Sequence, residues 1–230
     1  MIGIIGAMQI ETEALCLMLE DKKTEVISGK EYHSGRLFGV DVVICTCGIG
    51  KVFAAIATEA MILRYSPSLI INTGVAGAIS DSLDVTDIVV SSDVVQHDMD
   101  TSPIGDPVGL ISGINKIFFD ADEDARTTLL NITSSLGINA LLGTVASGDQ
   151  FIAGKEAKDR IKESFPSAAC CEMEGGAIGH VCYVNDTPFV VLRAISDKAD
   201  GTGSMDYMQF CSVAAKNSVE VLCEFIKTKA

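Results

Sequence analysis

Carboxylates stand out in the stretch 170–197, which reads CCEMEGGAIGHVCYVNDTPFVVLRAISD. Glu172 and Glu174 follow a short apolar run, and two glycines and an apolar helix come after them. The apolar run 189–195 reads as a second buried strand, and Asp197 follows its end. A buried strand has no structural need of an acid at its end, so these carboxylates are candidates for chemistry.

Several carboxylates close together suit the recognition of sugars and the cleavage of glycosidic bonds. One carboxylate can accept hydrogen bonds from both hydroxyls of a vicinal diol. Nearby negative charge stabilises an oxocarbenium-like transition state, while one carboxyl protonates the leaving group and another activates water. The sequence has no GxSxG elbow, no cysteine paired with a histidine and no GxGxxG fingerprint. Serine and thiol nucleophiles and dinucleotide cofactors are therefore disfavoured.

Two more residues at strand ends admit both a chemical and a structural interpretation. Glu11 follows the apolar strand 2–6 and a tight turn, where it can act on a substrate or favour the N-terminus of a helix at about 11–20. Phe151 follows a strand at about 140–147, where it can stack on a flat heterocycle or fill the core. The residues alone leave both alternatives open.

Metal and phosphate sites are both disfavoured. His97 and Asp98 resemble a pair of metal ligands, but no second cluster of histidine or cysteine accompanies them. The GIGK sequence at 48–51 follows a strand as a phosphate loop does, yet it lacks the GxxxxGK[ST] spacing that surrounds a triphosphate. Close packing of a helix on the sheet explains these glycines equally well. The sequence predicts no metal and no cofactor.

The charge of the chain argues against several classes of partner. The 230 residues carry a formal charge of −14, and the isoelectric point is near 4.5. Nucleic acids and anionic membranes require clustered lysine and arginine, so we expect no nucleic acid and no membrane as partner. No apolar run reaches the ~20 residues of a membrane span, and no basic signal-peptide segment is present. We expect a cytoplasmic protein whose eight cysteines are thiols.

Strands and helices largely alternate along the chain, which predicts one α/β domain over residues 1–230. Apolar strands are expected at about 2–6, 31–37, 40–47, 69–74, 87–95, 140–147, 168–173 and 189–195. Helices are expected at about 11–20, 52–64, 122–136, 155–164, 175–184 and 206–227, with loops at 101–113 and 199–204.

This alternation favours a central, twisted, mixed but mainly parallel sheet flanked by helices. In such sheets a site lies at the carboxyl ends of the strands. Six residues fall just beyond these ends, namely Glu11, Gly77, Phe151, Met173, Glu174 and Asp197. Although they are dispersed in sequence, we expect them to converge in space.

Six short motifs also occur in a consistent order and spacing. They are GAMxxE at 6–11, GIGKV at 48–52, NTGxAG at 72–77, SGDxFI at 147–152, EME at 172–174 and RAISD at 193–197. In this order they resemble the 5'-methylthioadenosine/S-adenosylhomocysteine nucleosidases of the nucleoside phosphorylase superfamily. One such motif is a weak signal, whereas six in order are highly specific.

The resemblance implies a nucleoside phosphorylase-like fold and irreversible hydrolysis of an N-glycosidic bond. The substrates would be the adenosine thioethers 5'-methylthioadenosine and S-adenosylhomocysteine, with 5'-deoxyadenosine as a further possibility. The products would be adenine and a thioribose, which places the reaction in methionine salvage and methyl-cycle recycling.

The resemblance also implies roles for the two catalytic carboxyls. Glu11 would be the general base that activates water. Asp197 would be the general acid that donates a proton toward N7 of the purine. For that role Asp197 must hold a proton at working pH, and burial would raise its pKa in the required direction.

The remaining site residues carried over by the resemblance would bind the substrate. Glu174 would accept hydrogen bonds from the ribose hydroxyls, and Met173 would pack against the sugar. Phe151 would stack on adenine, and the backbone of Ile152 would contact the edge of the base.

Three further residues would support the site. Gly77 would let the backbone approach the ligand, Arg193 would steady the acidic cluster, and Glu172 would support the site from behind the pocket wall.

Two positions depart from the pattern of the family. Val75 replaces the small hydroxyl residue that is usual in NTGSAG, which removes a polar contact near the attacking water. Ile104 stands where relatives use an aromatic residue to reach the pocket of a neighbouring subunit. The family implies a homodimer, and the preference for the 5'-substituent rests on Ile104.

Two other functions compete with hydrolysis. A phosphorylase needs a phosphate pocket that is normally built with arginines, whereas Glu11 stands where relatives of that kind use a basic residue. A purine-nucleoside sensor on the same scaffold needs neither Glu11 nor Asp197 as a proton carrier. The presence of both acids favours the hydrolase.

Overall fold

The computed structural model describes residues 1–199 and 203–230, and the side chains of 203–206, 208 and 209 lie outside that description. The strands are β1 (Ile2–Gly6), β2 (Glu20–Ile27), β3 (Lys30–Leu37), β4 (Val40–Thr46), β5 (Leu69–Ala78), β6 (Ile88–Gln96), β7 (Phe118–Asp120), β8 (Ala140–Ser147), β9 (Ala168–Glu172) and β10 (Phe189–Asp197). The α-helices are α1 (Gln9–Leu17), α2 (Lys51–Tyr65), α3 (Glu123–Ser135), α4 (Lys155–Ser164), α5 (Gly175–Val184) and α6 (Gly203–Lys227), and a short 3-10 helix spans Ser102–Ile104.

The strands form a mixed sheet in the order β10, β6, β8, β9, β5, β1, β4, β3, β2, with β7 paired to β6. Strand β10 also pairs with β5, so that β5, β10, β6, β8 and β9 close into a ring. The strands β1, β4, β3 and β2 extend from this ring on the side of β5. The predicted fold class, a central mixed sheet flanked by helices, is confirmed.

Parallel and antiparallel pairs have distinct places in this sheet. Strands β4, β1, β5 and β10 run parallel to one another, and β6, β8 and β9 form a second parallel set. The two sets meet in opposite directions at β10–β6 and at β5–β9. Near the second junction Gly77 pairs with Cys171. Ring closure therefore brings the ends of oppositely directed strands together, which an open parallel sheet does not do.

The central strands are buried because helices cover the sheet. Every residue of β5 and of β10 is buried, as expected for strands whose two faces are both covered. Their near-continuous apolar sequences LIINTGVAGA and FVVLRAISD follow from this burial. The few polar side chains within them, such as Asn72 and Arg193, consequently require partners inside the protein.

Several sequence-based boundaries were wrong, among them the end of β5, which extends to Ala78 instead of 74. The first helix ends at Leu17 instead of about 20, and the strand β2 follows it. The β2 sequence EDKKTEVI lies at an edge of the sheet with most side chains exposed, so it shows no apolar alternation. The last helix begins at Gly203 instead of 206, and residues 200–202 of the predicted loop 199–204 lie outside the described residues.

The long segment after β6 is only partly irregular. Within the predicted loop 101–113 the chain forms the short 3-10 helix, and Ile111 pairs with Lys116 in an isolated bridge.

Among the described residues, no helix has both the length and the apolar character that a membrane span requires.

Candidate active site

A pocket opens where β1, β5, β9 and β10 end, beside the loop that follows β8. Its lining consists of Ala7, Met8, Glu11, Ile49, Val75, Ala76, Gly77, Gln150, Phe151, Ile152, Cys171, Glu172, Met173, Glu174, Arg193, Ser196, Asp197 and Tyr207. Every residue that the sequence predicted for the site lies in this lining, except Ile104. The dispersed strand ends therefore do converge.

Arg193 lies at the base of the pocket and is only 1% exposed. Its Nη2 donates to Oδ1 of Asn72 at 2.6 Å, forms an ion pair with Glu172, and lies 3.4 Å from Oε2 of Glu174. Burial by itself lowers the pKa of the guanidinium, but the carboxylates of Glu172 and Glu174 raise it by more. Arg193 is thus a permanent buried cation that several carboxyl groups share.

Glu172 lines the pocket and is buried, at 7% exposure. Its carboxylate accepts from the Gly175 amide at 2.8 Å, from the Glu174 amide at 3.1 Å and from the hydroxyl of Ser147. The amides belong to the start of α5, where the helix dipole favours a negative charge. Together with the ion pair to Arg193, these bonds occupy Glu172 fully, so its position fits a supporting role.

Glu11 is buried at the start of α1 and accepts three backbone hydrogen bonds. The amides of Ala7 and Met8 donate to Oε2 at 2.7 and 2.9 Å, and the amide of Val75 donates to Oε1 at 3.1 Å. Burial raises the pKa of Glu11 above its usual value, against the opposing effects of Arg193 and of these amides. Glu11 therefore caps the helix and also presents a carboxylate of increased basicity to the pocket.

Glu174 stands between the pocket and the turn before α2. The amide of Gly50 donates to its Oε1 at 2.8 Å, and its Oε2 faces Arg193. Burial and the charge of Glu172 raise the pKa of Glu174. The GIGK turn, whose glycines the sequence explained equally well by helix packing, thus contacts a site carboxylate directly.

Asp197 is the last residue of β10 and is buried beside Gly77. Its Oδ1 accepts from the Ala199 amide at 3.0 Å, and its Oδ2 accepts from the Ser196 hydroxyl at 3.0 Å. A Cβ atom on Gly77 would lie 2.9 Å from Oδ1 of Asp197. Gly77 therefore makes room for this carboxyl group, a steric need that the sequence did not reveal.

Phe151 and Tyr207 form the aromatic side of the pocket. Phe151 is 52% exposed, which rules out the alternative that it fills the core. The ring of Tyr207 meets it edge to face, with centroids 5.6 Å apart, and the Tyr207 hydroxyl donates to Sδ of Met8 at 3.1 Å. Ile152, the next residue after Phe151, is buried against the core.

Some lining residues were not found by sequence reasoning. Tyr207 lies on α6, beyond the last recognised motif, and an aromatic residue on an amphipathic helix carries no specific signal. Met8 and Ile49 lie inside the GAMxxE and GIGKV motifs, but an apolar residue there carries no signal of its own for a site. Ile104 is 81% exposed and does not line this pocket, so its predicted contact requires a second copy of the chain.

The charge balance of the pocket is unusual. Among the described residues, the lining contains the carboxyl groups of Glu11, Glu172, Glu174 and Asp197 and one cationic side chain, that of Arg193. Burial raises the pKa of Glu11 and of Glu174, so these two carboxyl groups take up a proton at higher pH than exposed acids do. The arrangement can give and take protons, and it repels anions.

Comparison with known proteins agrees with this geometry. Residues 1–227 match the family model described as the phosphorylase superfamily. An S-adenosylhomocysteine nucleosidase from Streptococcus pyogenes, solved with 5-methylthiotubericidin, is 32% identical, with 100% of this chain and 97% of that chain covered and a TM-score of 0.95. The methylthioadenosine/S-adenosylhomocysteine nucleosidase from Colwellia psychrerythraea 34H, solved with adenine, is 37% identical over 98% and 93% of the two chains, with a TM-score of 0.94.

The chain belongs to the 5'-methylthioadenosine/S-adenosylhomocysteine nucleosidase family. A futalosine hydrolase mutant of Helicobacter pylori strain 26695 is also similar, at 31% identity over 100% of this chain and 99% of that chain, with a TM-score of 0.93. This nucleosidase therefore shares its fold with hydrolases of more than one nucleoside.

The buried cation of the nucleosidase leads to a prediction about stability. We expect Arg193→Met to lower the free energy of unfolding by about 3–5 kcal/mol, because Glu172 would lose its cation inside the protein. Urea unfolding measures the change. Arg36→Met is the matched control, since Arg36 pairs with Asp21 at 2.6 Å on the surface and should cost about 0–1 kcal/mol. Equal losses in the two variants would contradict the prediction.

Proposed function

We propose that this nucleosidase hydrolyses the N-glycosidic bond of 5'-methylthioadenosine and S-adenosylhomocysteine, releasing adenine and a thioribose. The observation that carries the proposal is the convergence of Glu11, Glu174 and Asp197 around one pocket. In this role the enzyme serves methionine salvage and the recycling of the methyl cycle. We further propose that residues 1–230 form one domain and act in the cytoplasm.

Asp197 is the proposed general acid. Protonation of the purine at N7 turns adenine into a better leaving group, and the donor must be close to the base. Asp197 lies on the same pocket wall as Gly77 and Ser196, and bonds from Ala199 and Ser196 fix its carboxyl group. As the glycosidic bond breaks, Asp197 gives its proton to N7 and becomes a carboxylate.

Glu11 is the proposed general base. Three backbone amides hold its carboxylate in one orientation, and burial raises its pKa. Both effects suit a base that must take a proton from water near neutral pH. The water then attacks C1' of the ribose from the face opposite the departing adenine. Val75 leaves this water without a side-chain hydroxyl nearby, so its orientation depends on Glu11.

Glu174 and Phe151 are proposed to hold the two halves of the nucleoside. A carboxylate at Glu174 can accept hydrogen bonds from both ribose hydroxyls, while Met173 packs on the sugar. Phe151 offers an exposed ring for stacking on adenine, and the Ile152 backbone contacts the edge of the base. Negative charge from the carboxylates stabilises the oxocarbenium-like transition state between these two halves.

Water, not phosphate, is the proposed attacking group. A phosphate site requires unpaired cationic donors, and within the part of the chain that the structure describes Arg193 is the one cationic side chain of the pocket lining. Its guanidinium already binds Asn72, Glu172 and Glu174. Glu11 would in addition repel a phosphate dianion from the position of the attacking water.

We also propose that the nucleosidase is a homodimer whose interface includes the outer face of α2. Four large apolar side chains on this helix are exposed, namely Val52, Phe53, Ile56 and Leu63. An exposed apolar strip of this kind is typical of an interface between subunits. Ile49, in the turn before the helix, lines the pocket, so a partner bound along α2 would lie near the pocket opening. The exposed Ile104 of that partner could then cover the 5'-substituent.

One assay tests hydrolysis against its two rivals. Dialysed protein is incubated with 5'-methylthioadenosine, with and without phosphate, and adenine release is followed. We expect equal release in both cases, because water is the acceptor. Release that depends on phosphate would identify a phosphorylase, and binding without release would identify a sensor. The same assay with S-adenosylhomocysteine, 5'-deoxyadenosine and aminodeoxyfutalosine ranks the substrates by kcat/KM.

We expect Asp197→Asn to lower kcat by about 10²–10⁴-fold, because an amide cannot donate the proton that the leaving base needs. The amide is isosteric and can still accept from Ala199, so the melting temperature should stay unchanged. Asp84→Asn is a control, since Asp84 pairs with Lys198 in an exposed position close by. A rate for Asp197→Asn near that of the wild type would refute the proposed role.

We expect Phe53→Asp to convert the dimer into a monomer of 24.3 kDa, because it places a charge in the apolar face of α2. Sedimentation equilibrium measures the mass. The monomer should also lose affinity for 5'-methylthioadenosine, since Ile104 of the second copy is absent. Leu17→Asp, at an exposed apolar position on α1, is the control and should remain dimeric. A wild-type monomer would contradict the interface, and an unchanged KM in the mutant monomer would contradict the role of Ile104.

A further inference from the structure

The loop that carries Phe151 packs on the core through the next residue, Ile152. Residues 148–154 form no helix or strand, and the Phe151 ring itself is half exposed. Stacking on adenine nevertheless requires that this ring keep a fixed place. Polar contacts on the other side of Phe151, at Asp149, add to the hold that Ile152 provides.

Asp149 supplies these contacts through two hydrogen bonds, one to the segment after β6 and one to the start of α2. Its backbone amide donates to Oδ2 of Asp98 at 2.9 Å. Its own Oδ1 accepts from the backbone amide of Lys51 at 2.8 Å. The loop is thus tied on one side to the end of β6 and on the other to the first residue of α2.

An ion pair joins these two attachment points. Nζ of Lys51 lies 2.6 Å from Oδ1 of Asp98, and the two side chains are only 18% and 15% exposed. The ammonium also donates to Oε1 of Gln96 at 3.2 Å. Burial raises the pKa of Asp98, but the hydrogen bonds from Lys51 and from the Asp149 amide outweigh it and hold that pKa below its usual value. Without Lys51, the Asp98 carboxylate would lose the ammonium that binds it beside the Asp149 amide.

The same turn also reaches the part of the pocket that is proposed to hold the ribose. The Gly50 amide donates to Glu174 at 2.8 Å, and the next amide, that of Lys51, donates to Asp149. Gly50 has a φ of 98°, and a Cβ atom on it would lie 3.0 Å from Oδ1 of Asp149. The consecutive amides of Gly50 and Lys51 therefore bind the carboxylate of Glu174, which is proposed to hold the ribose, and the loop that carries Phe151.

We propose that Lys51 and Asp98 are positioning residues that hold the 148–152 loop, and with it Phe151, in the place where adenine binds. Neither residue lines the pocket, so both act through Asp149. The inference rests on the proposed function, because it assumes that Phe151 stacks on the base. Since Asp197 and Glu11 lie on other elements, loss of the pair weakens binding of the purine more than it slows the chemical step.

The test compares Lys51→Met, which removes the charge, with Lys51→Arg, which keeps it. We expect Lys51→Met to raise the KM for 5'-methylthioadenosine and the Kd for free adenine by about tenfold each, the usual effect of losing a charge-assisted hydrogen bond. The kcat should change by less than about threefold. Lys51→Arg should restore most of the affinity, and Lys116→Met, which breaks an exposed pair with Asp120, should change neither constant.

Hydrogen exchange gives an independent readout of the loop. In Lys51→Met the amides of 148–152 should exchange faster while those of β5 and β10 remain protected. If Lys51→Met fails to fold, Asp98→Asn takes its place, with a smaller expected rise in both constants. A fall in kcat with unchanged KM and unchanged Kd for adenine would overturn the proposal. So would hydrogen exchange of the 148–152 amides at the same rate in Lys51→Met and in the wild type. Failure of the wild type to release adenine would instead overturn the proposed function, and the Kd for adenine would still test the loop.

Discussion

The pocket depends on one buried guanidinium. Arg193 is shared by Glu172, Glu174 and Asn72, and it is the cation around which the carboxyl groups of the lining collect. Burial raises the pKa of Glu11 and of Glu174, and the charge of Arg193 lowers both. The balance of these two effects sets how readily the two carboxyl groups take up and release protons, on which general acid and base catalysis depends. Glu172, whose bonds to α5 and Arg193 are complete, is the residue that stabilises this cation.

The ends of the strands set where the carboxyl groups stand. Glu11 follows β1, Glu174 follows β9, and Asp197 ends β10. Backbone amides bind all three: Ala7, Met8 and Val75 donate to Glu11, Gly50 donates to Glu174, and Ala199 donates to Asp197. Fixed donors of this kind orient the acids before the substrate arrives, so little reorganisation is needed during the reaction.

Much of this could be predicted from the sequence, and the exceptions have physical causes. Acids near the ends of apolar strands predicted that Glu11, Glu174 and Asp197 would come together, and they do line one pocket, because strand ends in such a sheet converge. The closure of β10 onto both β5 and β6 could not be predicted, since pairing between distant strands leaves no local pattern. The charged edge strand β2 was missed because neither of its faces is buried as a strand pattern requires. Tyr207 was missed because its partner Phe151 is distant in sequence, and Gly77 was assigned to the ligand because its steric contact with Asp197 depends on the folded backbone.

The double pairing of β10 has a consequence for the synthesis of the chain. Strand β10 spans Phe189–Asp197 and closes the ring between β5 and β6. A nascent chain that has not reached residue 189 lacks the closing strand, the cation of Arg193 and the carboxyl group of Asp197 together. Until then the facing edges of β5 and β6 lack the backbone partners that β10 supplies, and such edges are the kind of surface that chaperones protect during translation. Completion of the barrel-like ring therefore brings Arg193 and Asp197 into the pocket in the same step.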